Sequence, residues 1–291
     1  MIIHDRTRLT GRLISFILLI FLLTPVTVRA YGPTDKEVVE SMYVLDLFRT
    51  PLTETEDADR AYDEMRYCTV QLHAGTTFGT GCIYEIRKDE IIIVSNRHVI
   101  ENWTALPLPE GDAITQEMIE DVILSRSPLE RGYVLFYDGS VALAELIGVS
   151  DEWDVGFLRV PLTQIPAERL IFLRSLRLEE NMAARADEQI FAYASKDIAV
   201  TFTSRNISMR SKDTGIAQTI HEGSVIYPDA YIEQFRTTML FALCKAEAGM
   251  SGGGIFDLRG RYLGIVTGGN DRGEMIGVRA SDVLAAAREI L

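Results

Sequence analysis

An all-β fold, a barrel or a sandwich, is what the sequence predicts for the body of the chain, and three observations predict it. Short runs rich in Val, Ile, Tyr and Thr recur from about residue 67 onward, turn residues stand between them, and helical periodicity is confined to isolated patches. The first runs are YCTVQLHA, GCIYEI and EIIIVSN, separated by GTTFGTG and RKDE, which suits strands joined by tight turns. YVLFYDGSVALAELIGVS, DVGFLRV, QIFAYAS, AVTFTS, MLFALC, GRYLGIVTG and EMIGVR continue the series. Two helical patches interrupt it, ITQEMIEDVILSR within residues 102–131 and SDVLAAAREIL at the end.

The totals fit such a body and exclude several classes of protein. With 291 residues, 47% hydrophobic and 24% charged, the chain can bury a large core and is neither disordered nor fibrous. Lys and Arg number 29 against 42 Asp and Glu, and the net charge of −13 argues against nucleic acid as a partner. The four histidines and three cysteines are scattered, with no metal-ligand spacing. There is no P-loop, dinucleotide fingerprint, heptad array or internal repeat, so neither a metal nor another cofactor is implied.

Residues 1–30 are a different material. Arg6, Arg8 and Arg12 precede LISFILLIFLL and then TPVTVRA, where Val28 and Ala30 stand like the small residues before a signal cleavage site. The 16 residues from Leu13 to Val28 fall short of the roughly 20 that span a bilayer, which favours a cleaved secretory signal over an uncleaved anchor. Either way, everything after Tyr31 is expected outside the cytoplasm, and membrane contact is expected only through this segment if it stays attached. Without it, 25 basic residues face 41 acidic ones, a net charge of −16.

Residues 31–64 read as a helical and acidic lead-in. Thr34 and Glu37 form a capping-box pattern, Val38, Met42 and Leu45 recur at helical spacing, and Pro51 ends the run. TETEDADRAYDE is polar enough for a linker or a helix-loop approach, which puts the start of the main domain near Met65. Cys68 and Cys82 flank GTTFGTG as potential cross-strand neighbours, and with Cys244 they make an odd count, so a disulfide and three reduced thiols both stand open. Asn102 in NWT and Asn206 in NIS match glycosylation sequons, relevant only in a host with that machinery.

The segment AEAGMSGGGIFDLRGRYLGIVTGG, residues 246–269, sets Ser251 between Gly249 and three more glycines. It reads either as a glycine-rich turn or as a nucleophile loop whose amides at Gly249 and Ser251 receive an oxyanion. The second reading needs a histidine base and a carboxylate elsewhere. His98 closes the apolar run IIIVSNRHVI, as a buried structural histidine or as that base. Asp154 opens DVGFLRV, as a turn residue or as the carboxylate that orients the base. Together they stand in the chain order His, Asp, Ser.

On these motifs, residues 68–283 resemble a trypsin-like serine protease of the chymotrypsin fold, closest to the bacterial HtrA/Deg-type branch. GTGCIY with IIIVSNRHVI, YDGSVALAELIGVSDEWDVGFLRV, RADEQIFAYAS and AGMSGGGIFDLRGRYLGIVTGG carry the resemblance. It implies two packed six-stranded antiparallel β-barrels, the first over about 65–165 and the second over about 185–280, with a helix over 281–291. His98 and Asp154 then come from the first barrel, Ser251 from the second, and the cleft lies at their seam. By resemblance, Ser251 is the nucleophile, His98 the general base, Asp154 its orienting partner, and Gly249 and Ser251 the oxyanion hole. Thr267, Gly268 and Gly269 match the strand that pairs with extended substrate. Lys245, six residues before Ser251, stands where related enzymes place the base of the primary specificity pocket, although an exposed lysine is the ordinary alternative.

The chain departs from the pattern in three places. Met250 replaces the aspartate with which trypsin-type zymogens pair a new N-terminus, the connection after His98 is long, and no PDZ domain is expected after SDVLAAAREIL. The expected function is an exported serine endopeptidase acting on polypeptides. The alternatives are a catalytically silent relative that binds peptides or a partner protein in the same cleft, and a small-ester hydrolase.

Overall fold

The computed structural model describes residues 58–74, 77–108, 114–125, 132–178, 183–195, 200–202, 207–209, 216 and 218–291. The signal segment expected at 1–30, the helix read over 34–50 and Asn206 of the second sequon lie outside these residues.

The chain enters through α1 (Ala58–Cys68), in the stretch whose polar sequence fits a linker or a helix-loop approach. Ala61, Met65 and Cys68, spaced by four and three residues, form one buried face, and this apolar stripe is what makes the segment a packed helix. The compact domain therefore includes residues ahead of Met65. β1 (Thr69–Ala74) follows without a break and pairs antiparallel with β2 (Thr77–Ile86). Ala74 stands opposite Thr77, so GTTFGTG is strand from Thr77 onward. β3 (Glu90–Ser95) completes the meander and leads into a single helical turn, α2 (Arg97–Ile100).

The long connection holds α3 (Gln116–Ser125), as ITQEMIEDVILSR predicts. Its buried Ile119 and Ile123 pack with Leu135, Val141 and Leu143 on the first sheet. Gln116 brackets Val141, accepting its N–H at 2.7 Å and donating to its carbonyl at 3.0 Å. Gln164 does the same for Leu143 at 2.8 and 2.9 Å. Two glutamine side chains thus pair backbone that an edge strand would otherwise expose, so the described part of the insertion serves the sheet.

β4 (Gly132–Leu135), β5 (Val141–Leu143), β6 (Glu145–Val149) and β7 (Gly156–Pro161) finish the first sheet, in the order β5-β4-β1-β2-β3-β7-β6. β5 and β6 lie at opposite ends of that order, yet only Ala144 separates them in the chain. The sheet must curl until its two edges meet at that residue. Counted with β5–β6 as one bent strand, it is a six-stranded barrel closed by the chain and not by a ladder. Trp103, from the NWT sequon, donates its indole N–H to the Ala144 carbonyl at 2.9 Å and is part of the core.

After α4 (Ala167–Leu170) come β8 (Gln189–Ala194), a two-stranded ribbon of β9 (Val200–Phe202) and β10 (Ile207–Met209), β11 (Thr219–Ile232), β12 (Thr237–Cys244), β13 (Gly254–Asp257), β14 (Tyr262–Gly269) and β15 (Glu274–Arg279). β11-β12-β15-β14-β13-β8 is a closed antiparallel barrel. α5 (Ala280–Ile290) ends the chain.

β3 shows why the histidine strand is apolar on both faces. Ile91 and Ile93 point into the first barrel, while Ile92 and Val94 face the seam with Phe157, Tyr193, Phe256, Tyr262 and Ile265. Met65 from α1 and Val283 and Ala286 from α5 join the same cluster, so both helices wedge into the seam. The three cysteines are buried free thiols. Burial, with the neighbouring Cys82 thiol, pushes Cys68 well above the usual thiol range, and burial pushes Cys244 up to about 11. Both stay protonated and unreactive near neutrality.

His73 on β1 is buried, stacked on Tyr133 with ring centroids 4.6 Å apart, and 3.2 Å from the Gln71 amide oxygen. Burial lowers its pKa from 6.5 to about 4. Above pH 6.5 the residue is neutral whether folded or unfolded. Between 6.5 and about 4 the unfolded chain takes up a proton that the fold refuses, so stability falls with pH over that window. The gap is worth about 3 kcal/mol. In urea denaturation, His73→Gln should lose about 3 kcal/mol less than wild type between pH 7 and pH 4. Equal pH slopes would remove His73 from the acid sensitivity.

Candidate active site

The site begins with strand pairing. β3 and β7 run antiparallel with Ser95 opposite Gly156, so residues just past one and just before the other emerge side by side. That register brings His98 and Asp154 together. His98 Nδ1 lies 2.7 Å from Asp154 Oδ2, and the His98 backbone N–H donates to Oδ1 at 3.0 Å. A carboxylate only accepts, so the ring proton sits on Nδ1 and Nε2 is left as a base. The Asp154 side chain is 12% exposed and His98 45%, which leaves the imidazole open to a ligand. The loop that presents Asp154 is shaped by Ser150, whose hydroxyl accepts the amides of Glu152 and Trp153 at 3.2 Å each. Arg97 clamps the same loop, donating to the Ser150 carbonyl at 3.0 Å.

Ser251 is held from across the seam. The Thr80 amide on β2 donates to the Ser251 carbonyl at 2.8 Å, and the Thr80 hydroxyl lies 3.0 Å from the Gly249 carbonyl and 3.2 Å from that of Ser195. Gly249 and Gly252 adopt φ of +89° and +87°, a region that costs an L side chain strain. A Cβ on Gly252 would also stand 1.8 Å from the Thr80 carbonyl oxygen and 2.3 Å from Ser95 Oγ. With both loop carbonyls engaged, the amides of Gly249 and Ser251 donate to no protein acceptor among the described residues. Two free N–H groups flanking a serine can receive negative charge on an oxygen.

The Ser251 hydroxyl itself donates to the Thr267 carbonyl at 3.2 Å, and among the described residues no hydrogen bond joins it to His98. Thr267 is available because β14 bulges there. Val266 pairs with Gly277 and Gly268 with Ile276, leaving Thr267 out of the ladder. The two glycines that follow differ in surroundings. A side chain on Gly268 would meet open space, whereas one on Gly269 would reach Ala246 Cβ at 2.7 Å and the Glu274 carbonyl at 2.9 Å. Room for a neighbouring side chain therefore lies at Gly268 and not at Gly269. Lys245 is 61% exposed and forms an ion pair with Glu247, so its charge is met at the surface.

Two residues that the sequence reading passed over belong to this assembly. Thr80 looks like turn filler between Gly79 and Gly81. Asn96 looks like a strand-end cap, yet it is fully buried and bridges Asp154 and Thr267. The only sequence signal was their nearness to motifs already singled out.

Two packed antiparallel barrels, with an Asp-bound histidine on one and a glycine-set serine on the other, define the chymotrypsin-like double-barrel class. Residues 79–265, well over half of the chain, match the family of trypsin-like peptidase domains, and the chain belongs to that family. No curated protein matches it.

Gly252→Ala tests the grip of Thr80 on the loop. The added methyl meets backbone and demands a disfavoured φ, so a loss of at least about 3 kcal/mol is expected in urea or thermal unfolding. A loss under about 1 kcal/mol would mean that the serine loop moves off Thr80 freely.

Proposed function

We propose that the protein is an exported serine endopeptidase that cleaves polypeptides through an acyl-enzyme, with His98, Asp154 and Ser251 as its catalytic triad. One observation carries the reading: a histidine whose Nδ1 proton is bound by Asp154 stands at the same seam as a serine loop with two free amides. Family membership supports a peptide-hydrolysing site, and the leader supports export. The motif matches to the HtrA/Deg-type branch agree with an extracytoplasmic enzyme acting on polypeptides.

In this reading, extended substrate pairs with β14 from Thr267 to Gly269, and its side chains use the open space at Gly268. A substrate N–H that takes up the Thr267 carbonyl competes with the Ser251 hydroxyl resting there. Once released, the hydroxyl turns to His98 Nε2, which accepts its proton as the oxygen attacks the scissile carbonyl. The Gly249 and Ser251 amides receive the oxyanion, a contribution of roughly 3 kcal/mol per donor. His98 then returns the proton to the leaving amine, and water enters by the same path in reverse. A lysine at the base of the specificity pocket would favour an acidic residue before the scissile bond, but Lys245 is paired with Glu247 at the surface, which does not support that preference. The resting bond to Thr267 is also what a silent peptide-binding relative would keep permanently.

A fluorophosphonate probe is expected to label wild type and not Ser251→Ala. Asp154→Asn, which spoils the tautomer and leaves the geometry, should lower kcat by about 10⁴-fold. Folded wild type that takes no label but binds peptides would establish the silent module. Turnover of short esters without peptide cleavage would establish the ester hydrolase.

A further inference from the structure

Asn96 sits between β3 and α2, two residues before His98, and none of its surface reaches solvent. Its Nδ2 donates to the Asp154 backbone carbonyl at 3.0 Å and lies 3.3 Å from Thr267 Oγ1. A backbone carbonyl only accepts, so nitrogen and not oxygen must face Asp154, which settles the orientation of the amide. One partner belongs to the first barrel and the other to the second. Asp154 is the residue that binds His98, and Thr267 is the residue whose carbonyl holds the Ser251 hydroxyl. A single buried amide therefore touches both halves of the site.

The amide is a poor choice for stability alone. Asn96 Oδ1 is buried with no hydrogen-bond partner among the described residues, and a half-satisfied polar group costs free energy that an apolar side chain would not. What the amide adds is direction. Apolar packing at the seam tolerates sliding, whereas two hydrogen bonds to one rigid group fix a separation. We propose that Asn96 is a positioning residue that sets the Asp154–His98 pair at working distance from the Thr267–Ser251 pair. The proposal rests on reading those residues as the catalytic set.

The test uses Asn96→Ala, Thr267→Val, which removes the bridging hydroxyl at equal size, and the double variant. Each single change is expected to lower kcat roughly 10- to 100-fold, the scale of an ångström misplacement, with KM within about twofold. The double variant should fall no further than the worse single, because both break one bridge. The downfield proton resonance of His98 Nδ1–H should broaden or move in all three. Folded Asn96→Ala that loses only thermal stability and keeps its turnover would overturn the proposal, as would losses that multiply in the double variant. If Asn96→Ala does not fold, Thr267→Val decides alone by the same two readouts. If wild type cleaves no peptide and takes no fluorophosphonate, the functional reading fails by itself. The resonance then still decides, since an unchanged Nδ1 signal in the variants overturns the positioning role.

Discussion

The 2.8 Å hydrogen bond from the Thr80 amide to the Ser251 carbonyl crosses from one barrel to the other, and the geometry of the candidate site depends on that crossing. Neither barrel holds a complete set of reactive groups. His98 and Asp154 leave the first through paired strand ends, and Ser251 leaves the second on a loop tied to its own barrel at Gly252 and Gly253 and to the first barrel through Thr80. Apolar packing of Ile92, Val94 and Phe157 against Tyr193, Phe256 and Tyr262 provides adhesion, which is strong but undirected. The bonds from Thr80 and Asn96 add the direction, because a hydrogen bond weakens steeply when its partners slide.

That division of labour explains how the loop keeps two amides for a ligand. Backbone N–H and C=O groups in a folded chain are nearly always paired, so free donors require an arrangement that withholds acceptors from them. Positive φ at Gly249 and Gly252 turns the carbonyls toward Thr80 and leaves the neighbouring amides outward. On the other barrel, Asp154 spends both carboxylate oxygens on His98, one on the ring and one on the backbone. Position and tautomer of the imidazole are thereby set by one side chain. The Ser251 hydroxyl rests on Thr267, so the parts stand close without all being engaged.

Legibility in the sequence followed the range of the interaction. β3 and β7 were readable because burial on two faces writes continuous apolar runs, and the serine loop because its glycines cluster. β11 escaped although it is the longest strand among the described residues, since Gly223 and Pro228 punctuate it like turns. In the fold, its register shifts around Pro228, where a missing N–H is tolerated, and Gly223 lies so close to Leu243 and Cys244 that no side chain fits. α1 was legible only as one of two readings, because its acidic surface outweighs three buried positions. Thr80 and Asn96 escaped because their partners on the other barrel lie more than a hundred residues away, and nothing local distinguishes a bridging amide from a capping one.

The sequence by itself determined the strand-rich body, the insertion helix, the ordered His98, Asp154 and Ser251, and the glycines around the serine, because each is set by residue type and short-range spacing. Tertiary structure alone decided that β5 and β6 close the first barrel at Ala144, that the cysteines stay reduced and buried, and that Lys245 turns to Glu247. It alone decided which side chains cross the seam. Those outcomes depend on where distant segments meet, and contact between residues far apart in a chain leaves no periodicity or local composition from which to read it.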